Sequence, residues 1–471
     1  MKRISVWGLC LVLALMLCLI CGLTACDNGS EETPTDAPTE TATDAPTDAP
    51  TEAPTEEPTE APTEEPTEAP TEPETEPETE AINLNIQAQD LEDMMQSIFS
   101  GNFIQNETVM FLDKGEEKSL LFKADEIISV TSYDERKTYT EGVDYELVDG
   151  KIKCLEGGSI PCITAKKYWG ADSSSLLQTK NPDGKSVYTY WGEATAMTTW
   201  QVKVNYTHSE AWEGFMQPSE VRTLKSFVDK LKNGDDVTII FYGDSITYGA
   251  NASFLVGGGT NQLPYTMLFT KALADLFGYN VHFVATNNLS GTARVPGDYE
   301  TGATPTITYI NPSVGGWTSN DGLSKYDTYI KPYIEQYGCD LFMLAFGMND
   351  GGSTAKNVYS TQKRILDKVL AQAPETSLLL MATMVPNPDA TNGWYGSQAK
   401  QEAALIDGAA KYVENGVPCA VVRMGSTSLA ILEHKNFRDY TGNNINHPND
   451  FFSRVYAQTL LQCVIGYENM K

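Results

Sequence analysis

Residues 216–471 predict an α/β domain built on a doubly wound parallel sheet, and residues 82–215 predict a smaller β-sandwich of jelly-roll type ahead of it. Three observations carry this. From Val237 onward, five continuous apolar runs alternate with segments of helical period. Upstream of about residue 215 the runs are shorter, alternate in polarity and are punctuated by charged turns. Ahead of both, composition changes abruptly at about residue 82. Strands that are apolar throughout are buried on both faces, which is what helices on either side of a parallel sheet produce.

The chain opens with a targeting segment, residues 1–26. Lys2 and Arg3 precede an apolar run from Val6 to about Leu23, and Leu23-Thr24-Ala25-Cys26 resembles a bacterial lipobox. Cys26 is the expected lipid-attachment site, so the protein is expected on the extracellular face of the cell membrane, anchored without spanning it. Residues 27–81 repeat Thr-Glu-Ala-Pro and Thr-Asp-Ala-Pro units. They hold 19 Asp or Glu and no Lys or Arg, which accounts for most of the net charge of -30. With almost nothing apolar to bury, this stretch is expected to be a disordered linker, an extended tether. The remainder is still acidic, which argues against nucleic acid as a partner.

In residues 82–215, Val109–Leu112 and Leu120–Phe122 read as short strands. Tyr145–Lys153 reads as two strands around Asp149-Gly150, and Gln201–Tyr206 alternates cleanly. Cys154 and Cys162 flank Glu156-Gly157-Gly158 and are candidates for a disulfide. Cys339, Cys419 and Cys463 sit in apolar runs and read as buried small hydrophobes. Beyond the leader, which itself holds Cys18-Leu19-Ile20-Cys21, no CxxC or Cys/His cluster suggests a metal site, and no cofactor is implied.

A helix with Ser219 as cap and Gly234 as stop is expected next, with Val221, Leu224, Phe227, Val228 and Leu231 on one face. The strands of the parallel sheet are then Val237–Tyr242, Val281–Ala285, Leu341–Phe346, Leu378–Thr383 and Cys419–Met424. Leu263–Phe277 and Tyr326–Tyr337 are examples of the intervening helices.

In such a sheet, chemistry collects at the carboxyl ends of the strands. The first strand ends in Gly243-Asp244-Ser245-Ile246-Thr247. A serine at a strand-to-helix turn presents its hydroxyl to converging backbone N–H groups. The Gly-x-Ser-x-Gly elbow is absent, because Thr247 stands two residues after the serine. A serine nucleophile needs a base. Of the four histidines, His208 belongs to the β-region, His282 falls in an apolar strand and reads as buried packing, and His434 lies in a helix or loop. His447, in Asn443–Asp450 just before the last helix, is left as the base. Donors for an oxyanion are available in Asn311-Pro312-Ser313-Val314-Gly315-Gly316-Trp317-Thr318 and in Gly347-Met348-Asn349-Asp350, together with the backbone N–H of Ser245.

These four segments, in this order, resemble the four blocks of the SGNH, or GDSL, hydrolase superfamily over roughly residues 235–465. The resemblance implies a flavodoxin-like sheet, a carboxylic ester hydrolase activity, Ser245 as nucleophile and His447 as base. It also implies Gly316, Asn349 and the Ser245 N–H as oxyanion donors. One departure stands out: the family's aspartate three residues before the histidine is Asn444 here. Either the site works as a Ser–His dyad, oriented by a backbone carbonyl or by Asn444, or another acid such as Asp439 or Asp450 folds in. Loss of catalysis, leaving a glycan-binding surface protein, is the third reading.

A β-domain ahead of such a hydrolase on a lipoprotein resembles two-domain carbohydrate esterases that deacetylate plant polysaccharides such as xylan or glucomannan. The expected partner is therefore an acetylated polysaccharide or oligosaccharide, the cell's own wall glycan being the alternative. Trp317 and Trp394 are candidates for stacking on sugar rings, and no long apolar lid segment points to a lipase.

Overall fold

The computed structural model describes residues 97–286, 296–391 and 393–466, all within one compact unit, Leu84–Lys471. The leader with Cys26, the acidic repeats and the first residues of the expected β-region lie outside the described residues.

Among the described residues nine strands come first: β1 (Phe103–Met110), β2 (Glu117–Lys118), β3 (Glu126–Ser132), β4 (Thr138–Tyr139), β5 (Tyr145–Val148), β6 (Lys151–Cys154), β7 (Gln178–Lys180), β8 (Ser186–Tyr188) and β9 (Gln201–Thr207). They pair antiparallel into a four-stranded sheet ordered β1-β9-β3-β4, a three-stranded sheet β2-β6-β5 and the hairpin β7-β8. The β5–β6 turn has Asp149 at φ 49° and Gly150 at φ 79°, the left-handed pair that matches the twist of a two-residue hairpin. Leu120–Phe122 is not a strand. Its residues are buried, but side chains take the place of a ladder: the Glu107 carboxylate accepts from Leu121 N, and Tyr206 Oη accepts from Phe122 N. Cys154 and Cys162 are free thiols, with their sulfurs 3.8 Å apart.

A six-stranded sheet contains β10 (Val237–Gly243), β11 (Asn280–Phe283), β12 (Thr306–Ile310), β13 (Leu341–Ala345), β14 (Ser377–Ala382) and β15 (Cys419–Arg423). Its order is β11-β12-β10-β13-β14-β15, and every pairing is parallel. The expected doubly wound α/β fold with an antiparallel β-region ahead of it is therefore present. Along β10 the side chains alternate between two cores. Ile239 and Phe241 join Leu268, Phe452 and Val455, while Ile240 and Tyr242 join Tyr326, Ile365 and Leu405. Helices Tyr265–Phe277 and Asp450–Ile465 thus cover one face, and Ser319–Tyr329, Ala355–Gln372 and Gln398–Glu414 cover the other. The first of these cores runs on without a break into the β-region through Val109, Val202, Val204 and Tyr206.

Three local readings change. β12 was not anticipated: it is a five-residue strand, Thr-Ile-Thr-Tyr-Ile, that follows a Gly/Pro/Thr-rich stretch. The linking helix spans Lys225–Asn233; Ser219 does not cap it, although Gly234 closes it in a left-handed conformation. His282 is not buried packing: it sits on the edge strand β11, its side chain 47% exposed, and pairs with Asp298 at 2.9 Å. Among the described residues no helix is long and apolar enough to cross a membrane.

Candidate active site

The sheet reverses its winding at β10, because the chain continues to β12 on one side and to β13 on the other. Ser245 lies immediately beyond the carboxyl end of that strand, where such folds place their ligands. Asp244 is extended and caps the short helix Ser245–Tyr248 by accepting from Ile246 N at 3.0 Å. As the first helical residue, Ser245 has a backbone N–H with no partner inside the helix. Gly243 is required here: a Cβ would stand 2.6 Å from the Ala345 carbonyl and against Thr247. Burial pushes the Asp244 carboxyl up to about 7, against the pull of the Ile246 N–H and of His447.

The loop after β12 is tied onto this turn. Gly243 N donates to Ser313 Oγ at 2.9 Å, Val314 N donates to the Gly243 carbonyl at 3.2 Å, and Asn311 Nδ2 donates to the Thr247 carbonyl at 2.8 Å. Gly315 consequently faces the serine, and a Cβ there would lie 3.6 Å from Ser245 Cβ. Gly316 is exposed, in the left-handed region at φ 79°.

The loop after β13 brings Asn349, whose Nδ2 donates to the Trp317 carbonyl at 3.0 Å. An amide nitrogen carries two N–H bonds, so this anchor leaves the second for a ligand. Asp350 accepts from Ser319 N at 3.1 Å and from Ser319 Oγ at 2.6 Å, lashing the two loops together. Asn349→Ala is expected to lower kcat by about 10²–10³-fold, as loss of one oxyanion donor does elsewhere. Steady-state kinetics on p-nitrophenyl acetate checks this, an unchanged kcat excluding Asn349 from that role.

The two aromatic candidates separate. Trp317 is 7% exposed, packed edge-on against Tyr329 and Tyr242, and cannot stack on a sugar. Its place beside Gly316 reflects anchoring of that loop. Trp394 is half-buried beside the β13 loop, its Cδ1 3.7 Å from where a Cβ of Gly351 would be, and its neighbour Tyr395 is 42% exposed.

His447 Nε2 lies 2.9 Å from Ser245 Oγ. Asn443 shapes the loop that carries it: its Oδ1 accepts from the backbone N–H groups of Ile445, Asn446 and His447 at 2.9, 2.9 and 3.0 Å. Asn444 does not orient His447. It is fully buried at φ 64°, and its side chain donates to Tyr168 Oη and the Tyr190 carbonyl and accepts from Asn387. The other acids considered are engaged elsewhere as well. Asp439 accepts from Met110 N and pairs with Lys118 at 3.1 Å, and Asp450 accepts from Ser253 N.

Two residues not foreseen occupy the position behind the imidazole. Asn251 Oδ1 is 2.8 Å and Glu193 Oε2 3.1 Å from His447 Nδ1. The other Glu193 oxygen accepts from Asn443 Nδ2 at 3.0 Å. Burial works against the Glu193 carboxylate, but the bond and charge of His447 and the Asn443 amide hold its pKa below the usual value. Asn251 stands six residues after Ser245, at φ 68°. Glu193 comes from the irregular stretch between β8 and β9, and nothing in its local sequence marks it.

Ser245, His447 and an acid-bearing partner set in one line form the constellation that, in serine hydrolases, deprotonates a hydroxyl for attack on a carbonyl. Comparison with known proteins agrees with that chemistry. Residues 241–453 match the family model of the GDSL-like Lipase/Acylhydrolase family. Nothing among the curated proteins matches the chain. Among solved structures, a two-domain esterase active on acetylated mannans, co-crystallised with mannopentaose, is similar at 18% identity and a TM-score of 0.36, over 52% of this chain and 54% of that one. The chain thus spans about half the length of that esterase. A variant of an acetyl-xylooligosaccharide esterase from Geobacillus stearothermophilus is similar at 13% identity and a TM-score of 0.35, over 50% of this chain and 96% of that one. An acetyl xylan esterase is similar at 16% identity and a TM-score of 0.33, over 49% and 100% respectively. The family match covers the segments of the site from the end of β10 to His447, so over residues 241–453 the chain is similar to the GDSL-like lipase/acylhydrolase family.

Proposed function

We propose that the protein removes O-acetyl groups from carbohydrate through an acetyl-Ser245 intermediate. The observation that carries the chemistry is the 2.9 Å contact between Ser245 Oγ and His447 Nε2 at the end of β10. His447 takes the Ser245 proton as Oγ adds to the ester carbonyl carbon. The negative oxygen of the tetrahedral adduct is held by the N–H groups of Ser245 and Gly316 and by Asn349 Nδ2. The adduct collapses with breakage of the ester C–O bond, and His447 gives the proton to the departing sugar oxygen, which leaves as a hydroxyl. Water, deprotonated by the same imidazole, then adds to the acyl carbon, the bond from that carbon to Ser245 Oγ breaks, and His447 returns the proton to Oγ as acetate leaves.

Support for a sugar substrate comes from Trp394, which borders the β13 loop, and from the exposed Tyr395 next to it in sequence, both of which offer faces for a pyranose ring. The alternative of a non-catalytic glycan-binding protein drew on Asn444. With Glu193 and Asn251 on the imidazole that ground falls away. Attachment to the extracellular face of the cell membrane through Cys26 belongs to the same proposal and rests on the lipobox-like Leu23–Cys26.

The test is acetate release by residues 82–471 from acetylated xylan and acetylated glucomannan, beside p-nitrophenyl acetate and p-nitrophenyl palmitate. Release from at least one glycan, with little turnover of palmitate, is expected. Rapid palmitate hydrolysis with no acetate from any glycan would replace the carbohydrate reading with a lipase reading.

A further inference from the structure

The fused arrangement behind His447 does more than stand in for a missing aspartate. In serine triads one carboxylate holds the imidazole tautomer and also stabilises the imidazolium. We propose that this chain divides those two tasks: Asn251 sets the tautomer and ring orientation, and Glu193, from the β-region, contributes the negative charge. This rests on the Ser245–His447 reading.

The orientation of the Asn251 amide follows from its surroundings. Its Nδ2 donates to the Ala194 carbonyl at 3.0 Å and to the Gly442 carbonyl at 3.2 Å, and the residue is 2% exposed. A flipped amide would set its oxygen against both carbonyls, so Oδ1 must face the ring. A carbonyl oxygen only accepts, hence His447 carries its proton on Nδ1 and offers the Nε2 lone pair to the Ser245 hydroxyl. Buried, neutral and gripped from both sides, Asn251 is a rigid acceptor. The grip also joins the Glu193 segment, through Ala194, to the His447 loop, through Gly442. A Cβ on Gly442 would fall 2.5 Å from Asn251 Cβ, so the loop glycine leaves room for this packing.

Glu193 has the opposite character. Its side chain is 53% exposed and reaches Nδ1 at the longer distance, 3.1 Å. Water screens a charge in that position. It therefore modulates the imidazolium without fixing the ring, and its contribution is the smaller of the two. Both are positioning residues, acting on the reaction through His447.

Four variants separate the tasks: Asn251→Gly, which suits the left-handed backbone, Asn251→Asp, Glu193→Gln and Ser245→Ala. Steady-state kinetics on p-nitrophenyl acetate is read beside ¹⁵N NMR of the His447 ring, assigned by difference from His447→Ala. Asn251→Gly is expected to lose about 10²–10³-fold in kcat with KM nearly unchanged, bounded by the roughly 10⁴-fold lost when a triad aspartate becomes asparagine. Its ring signals should move towards a mixture of tautomers. Asn251→Asp, which keeps an acceptor on Nδ1, should fall between Asn251→Gly and wild type and retain the Nδ1–H signature. Glu193→Gln is expected to lose about 10-fold in kcat with the tautomer unaltered. Glu193→Gln abolishing activity while Asn251→Gly leaves both rate and tautomer unchanged would overturn the division in favour of a single acid. Wild-type behaviour of both, with Ser245→Ala inactive, would overturn the division and leave the Ser–His reading standing. An active Ser245→Ala would remove that reading itself.

Discussion

Ser245→Ala is expected to lower kcat for ester hydrolysis by on the order of 10⁵-fold or more, His447→Ala by a similar factor, and the double variant by no more than either alone. The non-additivity is the informative part. Nucleophile and base act as one unit, so once either is gone the other has nothing to do. What remains is hydrolysis by water in a site that still binds the ester and still presents the loops around Gly316 and Asn349, roughly 10³–10⁴ above solution. A fluorophosphonate probe should label wild type and neither single variant, because labelling needs both the hydroxyl and its deprotonation. Neither change should much alter the melting temperature: Ser245 makes one side-chain contact that an alanine loses, and the His447 loop is held by Asn443 Oδ1 through three backbone N–H groups that do not involve the imidazole. Full activity in Ser245→Ala with an intact fold would mean the 2.9 Å contact is not the reacting pair.

That pair could be anticipated because it belongs to local pattern. A continuous apolar strand ending in Gly243-Asp244-Ser245 places a serine at a strand terminus whatever else the chain does, and the order of the later segments follows from the winding of the sheet. The parallel sheet itself was legible for the same reason, since strands such as Val237–Gly243 are apolar on both faces. β12 was not, because its five residues alternate and follow a stretch rich in turn formers. The partners of His447 were hidden for a different reason. Spacing suggests Asn444, three residues before the histidine, but a left-handed backbone at φ 64° turns that side chain towards Tyr168 and Tyr190. The groups that do reach Nδ1 come from 254 and 196 residues away along the chain. Glu193 lies in irregular backbone that no periodicity identifies, and Asn251 reads as an ordinary loop asparagine. Trp317 misled in the complementary way. Position beside Gly316 suggested a ligand contact, while the decisive quantity was burial between Tyr242 and Tyr329.

Lys435→Met is expected to destabilise the fold by about 3–5 kcal/mol, the usual result of stranding one member of a buried ion pair. Lys435 Nζ pairs with Glu107 on β1, and both side chains are fully buried. Glu107 also accepts from Leu121 N and from Tyr206 Oη at 2.7 Å. Removing the ammonium leaves a carboxylate in a dry core with neutral donors only. Glu107→Gln in the Lys435→Met background should recover much of the loss, because an amide can still accept from Leu121 N and Tyr206 while burying no charge. Urea denaturation of the wild type, both single variants and the double variant forms the cycle that isolates the pair, and a Lys435→Met variant as stable as wild type would show that Glu107 does not depend on it. The location of the pair gives the experiment its wider meaning. Lys435 follows the helix Met424–Leu432 of the hydrolase region, and Glu107 belongs to the β-region. Asp439 and Lys118 repeat the connection a few residues on. Buried charges matched across the two regions, within one continuous apolar core, predict that residues 216–471 expressed alone lose Glu193 and also leave Lys435 without its counter-charge. The β-region is then part of the catalytic fold, and its removal should abolish folding before any question of substrate binding arises.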